Sequence, residues 1–91
     1  MQFEWDTTKA AGNLIKHGVS FDEASSVFGD PLAVSIPDPD HSVDEDRFLT
    51  TGLSSEQRLL VVAHVYRGGG IRIIMARDAS SKERKQYESA E

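Results

Sequence analysis

There is no cysteine among the 91 residues of this chain, so disulfide scaffolds, thiolate metal sites and thiol nucleophiles are excluded. Long apolar runs are missing too: no stretch approaches the roughly 20 residues that a bilayer-spanning helix needs. The opening Met1-Gln2-Phe3-Glu4-Trp5-Asp6 has neither the basic nor the apolar region of a secretion signal, and the expected location is cytoplasmic. Basic charge is in short supply, with 10 Lys and Arg against 15 Asp and Glu and a formal net charge of −5. A non-specific nucleic-acid binder normally advertises a basic surface, so that class is disfavoured. Internal repeats and domain linkers are absent as well. The length fits one small domain, residues 1–91, with a modest core.

The charge that is present is divided unevenly. Between Arg67 and Tyr87, the cations Arg67, Arg72, Arg77, Lys82, Arg84 and Lys85 meet only Asp78 and Glu83. Asp38, Asp40, Asp44, Glu45 and Asp46 form the opposite pole, with no lysine or arginine among them. Two such lobes imply two surfaces with different partners. The carboxylates lack the twelve-residue ligand pattern and central glycine of a calcium loop. His17, His41 and His64 show no metal-ligand spacing, and no metal or other cofactor is expected.

Phe3 and Trp5 alternate with polar neighbours and predict a short opening strand. Asp6 can cap a helix with apolar positions at Ala10, Ala11, Leu14 and Ile15, and Lys16-His17-Gly18 ends it. Ser20-x-x-Glu23 is a capping box for a second helix, stopped by Gly29-Asp30-Pro31. Leu32, Val34 and Ile36 predict a strand, and 37–46 reads as an exposed acidic loop. Strands follow over 47–53 and 58–66, the second the most apolar of the chain. Arg67-Gly68-Gly69-Gly70 is a hairpin loop, because glycine accepts the positive φ such turns require. The order is β-α-α-β-β-β-β-α: an α+β domain with an antiparallel sheet and helices packed against one face.

The stretch Ile71-Arg72-Ile73-Ile74-Met75-Ala76-Arg77 organises this pattern. It reads as a buried strand with two arginines set into it. At odd spacing those arginines point to opposite faces unless a bulge re-aims one. Ser80-x-x-Glu83 then caps a last helix bearing Lys82, Arg84, Lys85 and Tyr87. Arginines delivered by a strand and followed by a basic helix suit a phosphate.

Taken together, the chain resembles the BrnT family, toxins of bacterial type II toxin–antitoxin pairs. The resemblance rests on Phe3-x-Trp5-Asp6, Lys9, Asn13-x-x-Lys16-His17-Gly18-Val19-Ser20-Phe21-x-Glu23-Ala24 and Phe28-x-Asp30-Pro31. It continues through Arg47, Gly52, Ile71-Arg72-Ile73-Ile74-x-Ala76-Arg77, Glu83 and Tyr87. Met75 departs from the family's usual serine. The resemblance implies a fold similar to RelE-type ribonucleases and a toxin that cleaves RNA without a metal. It also implies a BrnA-like antitoxin with a ribbon-helix-helix DNA-binding domain, the complex repressing its own operon. DNA is then reached only through that partner.

Metal-free RNA cleavage needs a base, cations for the phosphorane-like transition state, and an acid for the leaving oxygen. Arg72 and Arg77 are the first candidates for the cationic role, then Arg47; the competing reading of each is a structural ion pair. His17 and Lys16 are further catalytic candidates, although spacing alone favours a helix cap. Tyr87 could act as an acid or stack on a base, or simply pack the last helix. Lys82, Arg84 and Lys85 are the expected RNA-binding residues. A non-catalytic module, or degenerate toxin, that only holds a DNA-binding partner is the alternative function.

Overall fold

The structure is a computed structural model, and it describes residues 1–43 and 45–89. Asp44, one of the acidic-lobe carboxylates, lies outside the described residues. The elements are β1 (Phe3–Glu4), α1 (Thr7–His17), α2 (Phe21–Ser26), β2 (Val34–Pro37), β3 (Phe48–Leu53), β4 (Leu59–Arg67), β5 (Gly70–Asp78) and α3 (Ser81–Ser89). Short 3₁₀ turns at Val27–Gly29 and Pro39–His41 complete them. This is the order expected from the sequence. The five strands lie β1-β5-β4-β3-β2. All neighbours are antiparallel except β1, which returns parallel to β5 with Phe3 beside Ile71.

Central β4 is buried from Leu59 to Val65, with Leu60, Val61 and Val62 at 0% exposure. A strand covered on both faces loses the polar alternation of a half-solvated one, which explains why its run is apolar apart from His64. On one face Leu60, Val62, Ile71, Ile73 and Ala76 meet Val19, Phe21, Ala24 and Val27 from the α1–α2 layer. Burying each large apolar side chain there contributes about 1.5–3 kcal/mol.

The expectation of a single covered face holds for α1 and α2 but not for α3. Glu83, Gln86 and Tyr87 of α3 line a groove with Val34, Ile36 and Thr51. Thr51 pairs with Val61 and Val34 with Thr51, so these side chains stand on the face opposite Leu60 and Val62. The last helix therefore covers part of the second face.

Local sequence sets the helix ends. The Asp6 carboxylate accepts from the amides of Thr8 and Lys9 at 2.8 and 3.1 Å, and Gly18 exits α1 at φ 69°. In α3 the capping box is complete: Ser80 Oγ accepts from Glu83 N at 3.2 Å while Glu83 Oε1 accepts from Ser80 N at 2.8 Å. At α2 only half of it forms. Ser20 Oγ accepts from Glu23 N, but the Glu23 carboxylate turns away to Arg58 and Ser54.

The inward face of α1 also differs from its apolar pattern. Leu14 is 52% and Ile15 87% exposed, and the buried residue is Asn13. Its side-chain NH₂ donates to the carbonyls of Val19 and Ala76 at 2.9 and 2.8 Å, and its carbonyl accepts from Ala76 N at 3.1 Å. One amide thereby ties α1, the corner after it and β5 together.

A candidate arginine-lined active face

The register of β5 on β4 decides where its arginines point. Leu60 to Ala63 pair with Asp78 to Met75, whereas His64 to Arg67 pair with Ile73 to Gly70. Ile74 is the extra residue, a β-bulge that shifts the register by one. Arg77 stands beside Val61 and Arg72 beside Val65. Val61 and Val65 are four residues apart on an unbroken strand and share a face. The bulge thus turns two arginines at odd spacing to the same side, about 13 Å apart along the strand. Met75, opposite Ala63, sits on that face between them.

Two further arginines join them. Phe48 pairs with His64, so extending this register by one residue sets Arg47 across from Val65. Arg47 and Arg72 then flank Val65 from its two neighbouring strands. Arg67 has the same parity as Val65 and lies two residues further along β4. The second face therefore carries Arg47, Arg67, Arg72 and Arg77.

Three of the four hold carboxylates. Arg72 Nη1 donates to Glu4 Oε2 at 3.0 Å, and Arg67 Nη2 to Glu45 Oε1 at 2.6 Å. Arg77 grips Glu83 with two parallel bonds, 2.7 and 2.9 Å, and also donates to the Asp78 carbonyl. That fork holds the Glu83 carboxyl down at about 2, helped by the Ser80 amide and against the cost of burial. Arg47 has no carboxylate partner among the described residues, and its buried Nε has no hydrogen-bond acceptor. Glu4 is on β1 and Glu83 on α3, so different elements hold Arg72 and Arg77.

The other predicted residues scatter around this face. Lys82, Arg84 and Lys85 are exposed along α3. Tyr87 is on the same side, but its ring is buried and its hydroxyl donates to Asp30 Oδ2 at 2.5 Å. Lys16 and His17 end α1, in the opposite layer. The corner beyond them is secured by Arg58, whose Nη2 donates to the Gly18 carbonyl at 3.0 Å while its guanidinium grips Glu23. His41 Nδ1 pairs with Asp38 at 2.9 Å on the acidic loop. His64 is fully buried, its Nε2 bonded to Thr50 Oγ1 at 2.7 Å, and burial lowers its pKa to about 4. Among the described residues, no group of three or more His, Cys, Asp or Glu could hold a metal ion.

Sequence reasoning passed over Arg67 as a site residue, and it missed the Arg58–Glu23 clip. The signal for Arg67 was its parity with Val61 and Val65 in β4. No local signal pairs Arg58 with a glutamate 35 residues earlier.

The family model for "Ribonuclease toxin, BrnT, of type II toxin-antitoxin system" matches residues 5–83. The chain belongs to the BrnT family. Its membership makes it a ribonuclease toxin with an antitoxin partner. Among solved structures, the Brucella abortus ribonuclease toxin, BrnT, has the same fold, with a TM-score of 0.68 and 24% identity. The match covers 89% of this chain and 99% of that one. No curated protein matches. Within the BrnT match fall Arg47, Arg67, Arg72, Arg77 and Glu83, whereas Tyr87 lies beyond its end.

Proposed function

We propose that this BrnT-family toxin cleaves RNA internally, without a metal, on the arginine-lined face of its sheet. The observation carrying the proposal is the bulge at Ile74, which puts Arg72 and Arg77 on the side already occupied by Arg47 and Arg67. In the reaction the RNA 2′-oxygen loses its proton and attacks the adjacent phosphorus. The 5′-oxygen leaves with a proton, and a 2′,3′-cyclic phosphate remains. Negative charge grows on the non-bridging oxygens along the way, and guanidinium groups hold those oxygens with paired donors while never deprotonating. Arg72 and Arg47, flanking Val65, are placed for the scissile phosphate. Arg77 and the exposed Lys82, Arg84 and Lys85 serve neighbouring phosphates. Glu4 and Glu83 hold Arg72 and Arg77 until RNA exchanges for them.

The partner is a BrnA-like antitoxin with a ribbon-helix-helix domain, which neutralises the toxin and with it represses the operon. Support for this part is the family membership alone.

The test is cleavage of purified RNA with chelator present. The parent is expected to cleave, and Arg72→Ala to lose about 10²-fold or more in kcat while its melting curve stays cooperative. Parental rates in folded Arg72→Ala and Arg47→Ala would remove these residues from the reaction. Cleavage abolished by chelator would overturn the metal-free chemistry.

A further inference from the structure

At the hairpin end of the sheet an aromatic ring is left open to solvent. Tyr66 is 58% exposed. Its ring meets Phe48 at 5.4 Å and His64 at 5.3 Å, both edge-to-face, with interplanar angles of 62° and 87°. Those neighbours are themselves fixed: His64 also contacts Phe28 at 4.8 Å and is tied to Thr50. The ring is therefore supported along its edges, on a rigid base, without a stacked partner. The Tyr66 hydroxyl makes no hydrogen bond among the described residues.

Beside the ring lies an open cavity of about 340 Å³, lined by Met1, Tyr66, Arg67, Gly68, Gly69, Gly70 and Ile71. Gly68 and Gly69 take φ of 57° and 78°, and with no side chains there the loop leaves the space unobstructed. Arg67 opens onto the same cavity. Tyr66 pairs with Ile71 and shares the parity of Leu60, Val62 and His64, so its ring stands on the face opposite the arginines, at the hairpin end. Arg67, the next residue, belongs to the arginine face, and an RNA strand can turn from one face to the other past the glycine loop.

We propose that Tyr66 is a stacking platform for one nucleobase of single-stranded RNA, the adjoining phosphate being held by Arg67. The subsite rests on the ribonuclease reading above and adds a base contact to its phosphate contacts. Stacking on an aromatic ring tolerates any base, because every base has a π-face. The platform thus fixes the path of the strand and prefers unpaired RNA over duplex, whose bases are already stacked.

Three variants separate stacking from packing. Tyr66→Phe keeps the ring and loses the hydroxyl, Tyr66→Leu keeps apolar contact with Phe48 and loses the π-face, and Tyr66→Ala loses both. Cleavage of a short unstructured RNA is followed as KM and kcat, beside the same RNA carrying an abasic position. The Leu and Ala substitutions are expected to raise KM about 5- to 150-fold, the range that stacking on one base spans. The Phe substitution should keep the parental KM. With a suitably placed abasic RNA, the parent should show the same rise and Tyr66→Leu no further one. Equal KM for parent and Tyr66→Leu, or a loss in Tyr66→Phe matching that in Tyr66→Ala, would overturn the platform alone. A folded parent that cleaves no RNA would overturn the ribonuclease reading and the platform with it.

Discussion

Two ionisable side chains contribute to the acid sensitivity of this molecule. Glu83 is held at about 2 by Arg77, far below its ordinary 4.5, so the unfolded chain binds the extra proton first. The stability that Glu83 contributes is complete above pH 4.5 and drains away as pH falls toward 2. Burial lowers His64 from 6.5 to about 4, and it therefore loses stability earlier, as pH falls from 6.5 to 4. Glutamine at 83 can still cap α3 but cannot charge-pair with Arg77. Because the pair is 32% and 24% exposed, Glu83→Gln is expected to cost about 1–2 kcal/mol at pH 7. The cost should shrink by more than half near pH 2. Urea midpoints across that range check this, and a pH-independent difference would assign the loss to packing. Little of this was readable beforehand. The sequence marks Arg77 as a catalytic candidate and Glu83 as a cap, yet spacing does not say that a strand end and a helix start fold onto each other. Asn13 shows the same gap from the other side. A polar residue at a helical core position is an error by pattern, and only the backbone of β5 explains it.

At the scale of elements, most of the pattern was legible because local rules and tertiary packing agree. The hairpin at Gly68–Gly69, both caps of α1 and the apolar β4 follow from turn chemistry, capping and periodicity. The exceptions depend on neighbours distant in sequence: β1 joining parallel to β5, and α3 crossing to the second face. The docking of β1 needs a bare position on β5. A Cβ on Gly70 would come within 2.8 Å of the Gln2 carbonyl oxygen, a contact with backbone that cannot rotate away. Gly70→Ala should therefore displace β1 and cost about 1–3 kcal/mol. Trp5 reports on it directly as the one tryptophan in the chain, half-buried next to Phe21 with ring centroids 6.0 Å apart. A red-shifted emission in Gly70→Ala would mark the loss of that contact, whereas a parental spectrum and melting temperature would show that β1 shifts freely.

For the whole molecule, net acidity and the proposed cleavage of RNA are reconciled by local pairing of charges. The acidic loop meets the arginine face through the Arg67–Glu45 pair, and most of the arginines carry their own carboxylates. On the proposed function, RNA binding is thus an exchange of counter-charges rather than a simple addition. Three or four phosphate contacts on single-stranded RNA predict that log(kcat/KM) falls against log salt with a slope of about −2 to −3. Removing one contact, as in Arg67→Ala, should reduce that slope by about 0.7. A flat salt profile would mean that the arginine face does not carry the RNA.

The unpaired Ile74 also bears on how such chains diverge. Two arginines five positions apart share a face only while an odd number of extra residues lies between them. Deleting one residue between them restores a regular ladder and a spacing of four, which keeps both on this face, whereas a regular ladder with the spacing left at five would send one of them into the core. Insertions and deletions in this strand are then coupled to arginine spacing. Relatives with a regular ladder that still present both arginines together must space them by four or six, not five.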